Sequence, residues 1–420
     1  MHRTVRIAVI ALMMCVSLAA VGASGFMLGR MSASDSLVPR IARPGASPAA
    51  PTAPGSPTAQ DKPHSAGVVE LVLEVARIVE AEYYNPGALE TQKLAHGAIR
   101  GMLETLGDPN TIFSDPTSTR LSEQNMQGSF GGIGITLATS GNTLSVGEVT
   151  PDGPAAAAGI LAGDVIVAVD GRKTEGMSTS AAVSLIRGQE GTTVVLTMAR
   201  EGWSAPKDLT LTRAIIRPVN LTTRMPDQSV GYIKLNSFTA NSAKEVEGGL
   251  RTLRDQGARA IVLDLRGNSG GLLQSAVDIS SQFVGSGVVM HEQYRSVDAT
   301  PVQAKPGGLA TDLPVVVLMN RGSASASEIV AGAIQDRQRG VLVGERSYGK
   351  DTVQSIHRLS DGSSVRVSIA RWYTPNRQEI AQKGLQPDIP VAITDDDLRA
   401  QKDPQLEAAL TAARARLAGR

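Results

Sequence analysis

The feature that most constrains the fold is a set of short, continuous apolar runs in the second half of the chain. These runs occupy residues 231–233, 260–263 and 315–318, and the two later ones lead through a glycine-containing turn into a stretch with helical periodicity. Continuous apolar runs of this length are typical of strands that are buried on both faces. From residue 214 to residue 420 the sequence therefore predicts an α/β core that ends in a C-terminal helix.

The N-terminus carries a targeting pattern. His2, Arg3 and Arg6 precede an uncharged run over residues 7–29, which is long enough to cross a bilayer as a helix. The run also fits a cleaved signal peptide, because small residues precede a cleavage position before Ser24. Residues 1–30 are thus either an anchor or a removed signal, and both alternatives predict an extracytoplasmic protein, membrane-anchored or secreted to the periplasm or cell exterior.

Three further regions follow the targeting segment. Residues 31–64 are rich in Pro, Ala and Ser without an apolar period, which predicts a flexible linker. Residues 65–127 show two stretches of apolar residues at helical spacing, which predicts a small N-terminal helical domain. Residues 128–213 contain short strands punctuated by glycines, which predicts a separate small domain.

Composition excludes several kinds of function. Lys plus Arg total 41 and Asp plus Glu total 40, so no excess charge favours nucleic acid as a partner. The single cysteine, Cys15, lies in the targeting segment, which leaves the rest of the chain without disulfides, thiolate metal ligands or a cysteine nucleophile. No metal and no cofactor is predicted.

Ser325 stands at a strand-to-helix turn, where the next backbone N–H, that of Ala326, points out of a helix N-terminus. Negative charge is stabilised at such a position, so the turn suits a nucleophile with half of an oxyanion hole. Ser325 and Glu328 also fit a capping box, in which the hydroxyl only satisfies a backbone N–H. The motif alone leaves both interpretations open.

A second turn, over residues 264–271, contains Gly270 and Gly271 after a buried strand. Paired glycines let the backbone approach a ligand and present its N–H groups, so this turn is a candidate for the other oxyanion donor. A glycine-rich turn that only closes a strand is the alternative.

A serine nucleophile needs a base, and the sequence offers two kinds. His357, in a predicted strand over residues 353–359, is the best histidine for a Ser/His/Asp triad, ahead of His291. Lys350 is the alternative, but its pKa would have to fall from about 10.4 to about 7, which corresponds to about 4 kcal/mol and requires a desolvated site. A solvated surface lysine is the competing interpretation.

Taken together, these motifs resemble those of the C-terminal processing peptidases, also called tail-specific proteases, over residues 66–415. The matching positions are Gly131, Gly132, Ile133, Gly134, Ile135, Asp170, Gly171, Leu185, Ile186, Arg187, Gly188, Leu263, Asp264, Leu265, Arg266, Asn268, Gly270, Gly271, Ala324, Ser325, Ala326, Ser327, Glu328, Gly349, Lys350, Gln354, Pro387 and Asp388. The resemblance implies a crotonase-like α/β peptidase core with an inserted PDZ domain and an N-terminal helical domain.

The same resemblance implies a catalytic site. Ser325 is expected to be the nucleophile, Lys350 the general base and Gln354 the residue that orients the lysine. The backbone N–H groups of Ala326 and Gly271 are expected to form the oxyanion hole, with Gly270 as the alternative to Gly271. The family usually has glycine where this chain has Asp351; strand alternation predicts that this carboxylate points away from the lysine.

Residues 128–213 resemble a PDZ domain, which binds a C-terminal peptide as an added strand. The resemblance implies a carboxylate-binding loop at Gly131, Gly132, Ile133, Gly134 and Ile135, with the two isoleucines lining a side-chain pocket. Arg187 is expected to pair with the bound carboxylate or with the peptidase domain; an exposed structural arginine is the alternative.

The predicted function is that of a serine endopeptidase that cleaves proteins with apolar, unstructured C-termini. Two other functions compete with it: a PDZ adaptor with an inactive peptidase-like domain, and a crotonase-type acyl-thioester enzyme. Besides protein substrates, the membrane is a partner if residues 1–30 stay uncleaved. The sequence leaves the oligomeric state open, a homo-oligomer included.

Overall fold

The computed structural model describes residues 65–295 and 297–419. The predicted targeting segment and linker, residues 1–64, lie outside the described residues. The chain divides into two units, Met1–Ala76 and Arg77–Arg420. Helix α1, Ser65–Glu82, begins in the first unit. In the described part of the chain, no helix is both long enough and apolar enough to span a bilayer.

The segment that precedes the insert is less purely helical than its periodicity predicts. A short 3-10 helix, Pro86–Ala88, leads into α2, Thr91–Glu104. The strand β1, Ile112–Ser114, then pairs antiparallel with a strand of the C-terminal region. Helix α3, Pro116–Gln127, follows and ends at Gly128. The strand β1 has only three residues, too few for an alternating apolar pattern, so the sequence did not predict it.

The insert is built around its own sheet and its own hydrophobic core. The strands of this sheet are β3 Ile135–Ser140, β4 Thr143–Val149, β5 Val165–Val169, β6 Arg172–Lys173, β7 Thr193–Ala199 and β8 Lys207–Thr212. They run in the order β3-β4-β5-β7-β8, with β6 on β5, so β3 is an edge strand. Helices α4 Pro154–Ala157 and α5 Thr179–Ile186 complete the insert.

A short strand pair closes the insert where the chain enters and leaves it. The strand β2, Phe130–Gly132, pairs antiparallel with β9, Ala214–Ile216. Gly132 lies opposite Ala214, so the two ends of the insert meet. Residues 133–213 are therefore inserted between two strands that pair with each other.

The main sheet of the C-terminal region has the order β10-β11-β12-β15-β16-β19. Its strands are β10 Leu221–Arg224, β11 Val230–Leu235, β12 Ala260–Asp264, β15 Val315–Met319, β16 Gly340–Gly344 and β19 Ile389–Pro390. All neighbours are parallel except β10 with β11. The predicted α/β class is confirmed.

Helices cover both faces of this sheet. Helices α6 Ser242–Asp255, α7 Leu273–Val284 and α8 Ala326–Asp336 pack on one face, where Val315 and Val317 point. On the opposite face, Val316 and Leu318 contact the C-terminal helix α10, Pro404–Ala418, which follows the short α9, Asp395–Arg399. Burial of alternate residues on both faces explains why the strands are continuously apolar.

A second, antiparallel sheet stands beside the main one. Its strands are β13 Val288–Tyr294, β14 Thr300–Gln303, β17 Thr352–Arg358 and β18 Ser364–Tyr373, together with β1. The strand β18 is central, because β1, β13 and β17 all pair with it. The segment between β16 and β17 runs from the main sheet to this one and contains Lys350.

Candidate active site

Ser325 occupies a strained turn between β15 and α8. Its backbone angles are φ 54° and ψ −114°, a region that residues with a side chain rarely adopt. Such strain costs about 1–3 kcal/mol and persists only where surrounding contacts enforce it. Here the N–H of Ala324 donates to the carbonyl of Asn268 at 3.1 Å, and the N–H of Ser325 donates to Glu328 Oε2 at 2.7 Å.

The capping interpretation of Ser325 is only partly met. Ser325 and Glu328 are placed as a capping box, yet the serine hydroxyl forms no cap hydrogen bond of normal geometry. The Glu328 N–H donates instead to the backbone carbonyl of Ser325 at 2.8 Å. The carboxylate thus caps the helix, and the hydroxyl remains available at the half-buried turn.

Two backbone N–H groups, from residues that line the same cavity as Ser325, have no acceptor within the described residues. One belongs to Ala326, the first residue of α8, and the other to Gly271. The neighbouring Gly270 N–H is already used, because it donates to Asn268 Oδ1 at 2.9 Å. A Cβ on Gly270 would stand 3.0 Å from the Ala326 nitrogen and 3.0 Å from Ser325 Cβ, so the two turns are in contact.

The geometry of Gly271 explains the need for glycine there. Its φ is 148°, and an added Cβ would stand 2.2 Å from the carbonyl oxygen of Phe238. The Leu272 N–H donates to that oxygen at 2.7 Å, which fixes the chain on both sides of Gly271.

Lys350 lines the same cavity as Ser325, Gly271 and Ala326, a space of about 690 Å³. Its side chain is half-buried, and no direct hydrogen bond joins Lys350 to Ser325 among the described residues. Burial lowers the pKa of the Lys350 amine, and the positive charge of Arg366 lowers it further. Asp108 and Glu328 act in the opposite direction. The desolvation that the sequence could not show is present.

Neither candidate histidine shares this cavity. His357 is exposed near the end of β17, and His291 is buried with Nε2 3.1 Å from the carbonyl of Pro375. Lys350 therefore has no competitor among the residues that the sequence singled out as bases.

Glu328 connects the two turns. Its carboxylate is fully buried and accepts from the backbone N–H groups of Ser325, Gly349 and Lys350 at 2.7, 2.6 and 3.0 Å, and from Ser347 Oγ at 2.5 Å. Burial raises the pKa of Glu328, while these four donors oppose that shift. One side chain thus holds the serine turn and the lysine segment together.

Gln354 and Asp351 differ in how they are placed around Lys350. Gln354 lines the cavity, but its amide donates to Thr352 Oγ1 at 2.6 Å rather than to the Lys350 amine. Asp351 is buried, and its Oδ2 lies 3.9 Å from Arg371 Nε. Asp351 does not line the cavity, and burial raises the pKa of its carboxyl group.

The predicted carboxylate loop runs from β2 into β3. Gly131 lies where two backbones meet, since a Cβ there would stand 2.1 Å from the Gly188 carbonyl oxygen. Gly132 pairs with Ala214, and Gly134 has a φ of 79°. Ile133 is 1% exposed and belongs to the core of the insert, whereas Ile135 is half-buried. Of the two isoleucines, only Ile135 offers surface to a ligand.

Arg187 does not point freely into solvent. Its guanidinium carbon lies 3.4 Å from the centroid of the Phe130 ring, and its Nη1 donates to Asn125 Oδ1 at 2.8 Å. Burial lowers the pKa of Arg187. The arginine therefore fastens the insert to α3, the helix that precedes it.

Two polar residues of the cavity wall had no signal in the sequence. Arg366, on β18, donates through Nη2 to Ser122 Oγ of α3 at 3.1 Å. Both residues line the same cavity as Ser325. In the residues described, no group of three or more His, Cys, Asp and Glu side chains is arranged to hold a metal ion.

Comparison with known proteins gives consistent similarities. Residues 229–391 match peptidase family S41, and residues 145–200 match the PDZ domain. The carboxyl-terminal-processing protease of Synechocystis sp. is 38% identical over 338 residues, which cover 78% of this chain and 79% of that protein. The carboxy-terminal processing protease CtpA of Bacillus subtilis is 34% identical over 318 residues, with coverages of 76% and 67%. A solved photosystem II D1 C-terminal processing protease is 31% identical, with coverages of 77% and 92% and a TM-score of 0.47.

Proposed function

Because the chain belongs to the carboxyl-terminal-processing proteases of peptidase family S41, we propose that it cleaves unfolded proteins near their C-terminal tails by a Ser/Lys mechanism. The family inferred from the sequence motifs is confirmed by these similarities, and so is the presence of a PDZ domain. The finer assignments below concern the roles of individual residues.

Ser325 is the nucleophile and Lys350 the general base. The lysine amine takes the hydroxyl proton as Ser325 Oγ attacks the carbonyl carbon of the scissile peptide bond. Lys350 then returns that proton to the leaving amine, and an ester joins the substrate to Ser325. A water molecule, deprotonated by the same amine, hydrolyses the ester and releases the shortened protein.

The observation that carries this proposal is the pair of unused N–H groups at Ala326 and Gly271, two residues that line the same cavity as Ser325. An oxyanion that forms on the attacked carbonyl would accept from both. Donors of this kind are already oriented before the reaction, and each is worth roughly 10²–10³ in rate. Gly271 is preferred to Gly270 in this proposal because the Gly270 N–H already donates to Asn268 Oδ1.

Gln354 orients Lys350 in this proposal once substrate is bound. In the structure its amide contacts Thr352, two residues away on the same strand face. Catalytic hydrogen bonds are often incomplete in the absence of substrate, so a rotation of this side chain toward the amine is part of the proposed cycle.

The PDZ domain docks the substrate's C-terminus. The edge strand β3 is open for an added strand, and the loop of Gly131, Gly132, Ile133, Gly134 and Ile135 leads into it. The backbone N–H groups of the loop would receive the terminal carboxylate and Ile135 an apolar side chain. Arg187 contacts Asn125 of α3 and the Phe130 ring, neither of which belongs to the peptidase core, so its proposed part is to hold the PDZ domain against α3.

The location that fits this activity is extracytoplasmic, with residues 1–30 as an anchor or a cleaved signal. The proposed function is tested by incubating residues 65–420 with a disordered protein that ends in apolar residues, and identifying the products by mass spectrometry. Wild-type protein should produce shortened chains, and Ser325→Ala and Lys350→Ala should not.

A further inference from the structure

Arg366 is the half-buried charged residue of the active-site cavity that the Ser/Lys mechanism leaves without a role. It extends from β18, whose partner strand β17 follows directly after Lys350. Arg366 lies opposite Ile356 in the register, and both residues line the cavity together with Lys350 and Gln354. The guanidinium is thus on the same side of the hairpin as the base.

Arg366 has no carboxylate to neutralise it. None of the Asp and Glu side chains described in the structure lies within 4 Å of its guanidinium, and its one side-chain hydrogen bond, to Ser122 Oγ, is to a neutral partner. A half-buried arginine usually pairs with an acid, because an unpaired charge is costly to desolvate. The arrangement therefore keeps a full positive charge exposed to the interior of the cavity.

The carboxylates that act on Lys350 accept hydrogen bonds from groups other than its amine. Asp108, in the turn after α2, accepts from the Asn110 N–H at 2.9 Å and from Thr111 Oγ1 at 2.6 Å. Glu328, on α8, accepts from four donors of the serine and lysine segments. Neither carboxylate forms an ion pair with the Lys350 amine within 4 Å.

The remaining charged groups near the amine are few. Arg321, in the turn before Ser325, lines the cavity but is exposed to solvent, which screens its charge. Asp351, the next residue in the chain, lies by Arg371 on the other side of the strand. Of the charged groups that act on Lys350, Arg366 has the largest effect.

We propose that Arg366 is a positioning residue for the general base: its unpaired guanidinium, held by Ser122 of α3, keeps the Lys350 amine in the uncharged form that can accept the Ser325 proton. The proposal rests on the proposed function of Lys350. A neighbouring cation destabilises an ammonium ion by repulsion and so makes a free amine available at lower pH. Burial and Arg366 act together in this cavity.

The test measures Lys350 itself rather than cleavage. In a Ser325→Ala background, the rate at which 1-fluoro-2,4-dinitrobenzene modifies Lys350 is followed from about pH 6 to 11 by peptide mass spectrometry. Arg366→Gln should raise the midpoint of the rate profile by about one pH unit, and Arg366→Lys, which keeps the charge, should restore it. Arg251→Gln, on the surface of α6, is the matched control and should leave the midpoint unchanged.

Loss of one hydrogen bond from a charged donor costs about 1.5–3 kcal/mol, so Arg366→Gln should remain folded, which thermal melting checks. An unchanged midpoint in Arg366→Gln would overturn the proposal, whatever happens to cleavage. So would a higher KM for a free-acid peptide but not for its C-terminal amide, with Lys350 reactivity unaltered, because that pattern identifies Arg366 as a carboxylate-binding residue. If Lys350 is not the general base, the Lys350→Ala variant will still cleave substrate. That result is separate from the outcome of the Arg366 test.

Discussion

The buried carboxylate of Glu328 accepts a hydrogen bond from the backbone N–H of Lys350 at 3.0 Å. The same carboxylate accepts from the N–H of Ser325, so one side chain spans the Ser325 turn and the Lys350 segment. Ser325 follows a strand of the main sheet, and Lys350 precedes a strand of the second sheet. The hydrogen bonds to Glu328 fix the distance between these two segments.

Substitution of Glu328 by Gln should damage both stability and activity. The amide group cannot accept at both of its ends, and its NH₂ would face backbone donors. We expect a loss of about 2 to 4 kcal/mol in the free energy of unfolding. We also expect a fall of about 100-fold in kcat/KM, because the two segments lose their relative position.

Urea unfolding and a cleavage assay measure the two effects. Glu247→Gln is the matched control, since its ion pair with Arg251 is on the surface and worth little. Wild-type stability of Glu328→Gln would show that the four hydrogen bonds contribute nothing.

Gly271→Ala tests the oxyanion donor. The added Cβ meets the Phe238 carbonyl at 2.2 Å, so the turn must move and carry its N–H out of position. We expect kcat/KM to fall by about 10²–10³, the usual cost of one oxyanion donor. Gly248→Ala on α6, where a Cβ would contact nothing within 4 Å, should be neutral or slightly stabilising. Undiminished cleavage by Gly271→Ala would exclude this glycine as a donor.

The sequence predicted the main sheet well because its strands are buried on both faces and therefore continuously apolar. It pointed to Ser325 and Lys350 only through the ordered motifs of a family, since helix capping and surface exposure were the better explanations of each residue alone. The sequence could not predict the contact between Arg366 and Ser122, because the two residues are 244 positions apart and meet only where β18 packs against α3. The side-chain rotation that directs Gln354 to Thr352 also has no sequence signal.

The pH dependence of kcat/KM should follow the Lys350 amine. Only the uncharged amine accepts a proton, so activity should rise with pH through the pKa of Lys350. Burial and Arg366 lower that pKa below the ordinary lysine value of 10.5, which places the rising limb at lower pH than a solvated lysine would. Initial rates with a substrate free of ionisable groups near the cleavage site measure the limb. A rising limb of the kcat/KM profile centred at or above pH 10.5 would contradict a desolvated Lys350 amine as the base.

Removal of the PDZ domain should alter selectivity without unfolding the core. Gly132 and Ala214 face each other in the β2 and β9 pair, so a two-residue Asn-Gly turn can replace residues 133–213. The domain has its own hydrophobic core, and the main sheet has another. We expect the shortened protein to lose its preference for apolar over charged C-termini, measured as a ratio of kcat/KM values. An unchanged ratio would contradict docking on the PDZ domain.

The most direct measurement is the cleavage rate of a disordered, apolar-tailed protein by four single variants. Ser325→Ala and Lys350→Ala should each lower the rate by at least about 10³-fold while circular dichroism and melting temperature stay near the wild-type values. Ser286→Ala and Lys93→Ala, both at exposed positions away from the cavity, should cleave as the wild type does. Cleavage at the wild-type rate by either Ser325→Ala or Lys350→Ala would contradict the Ser/Lys mechanism.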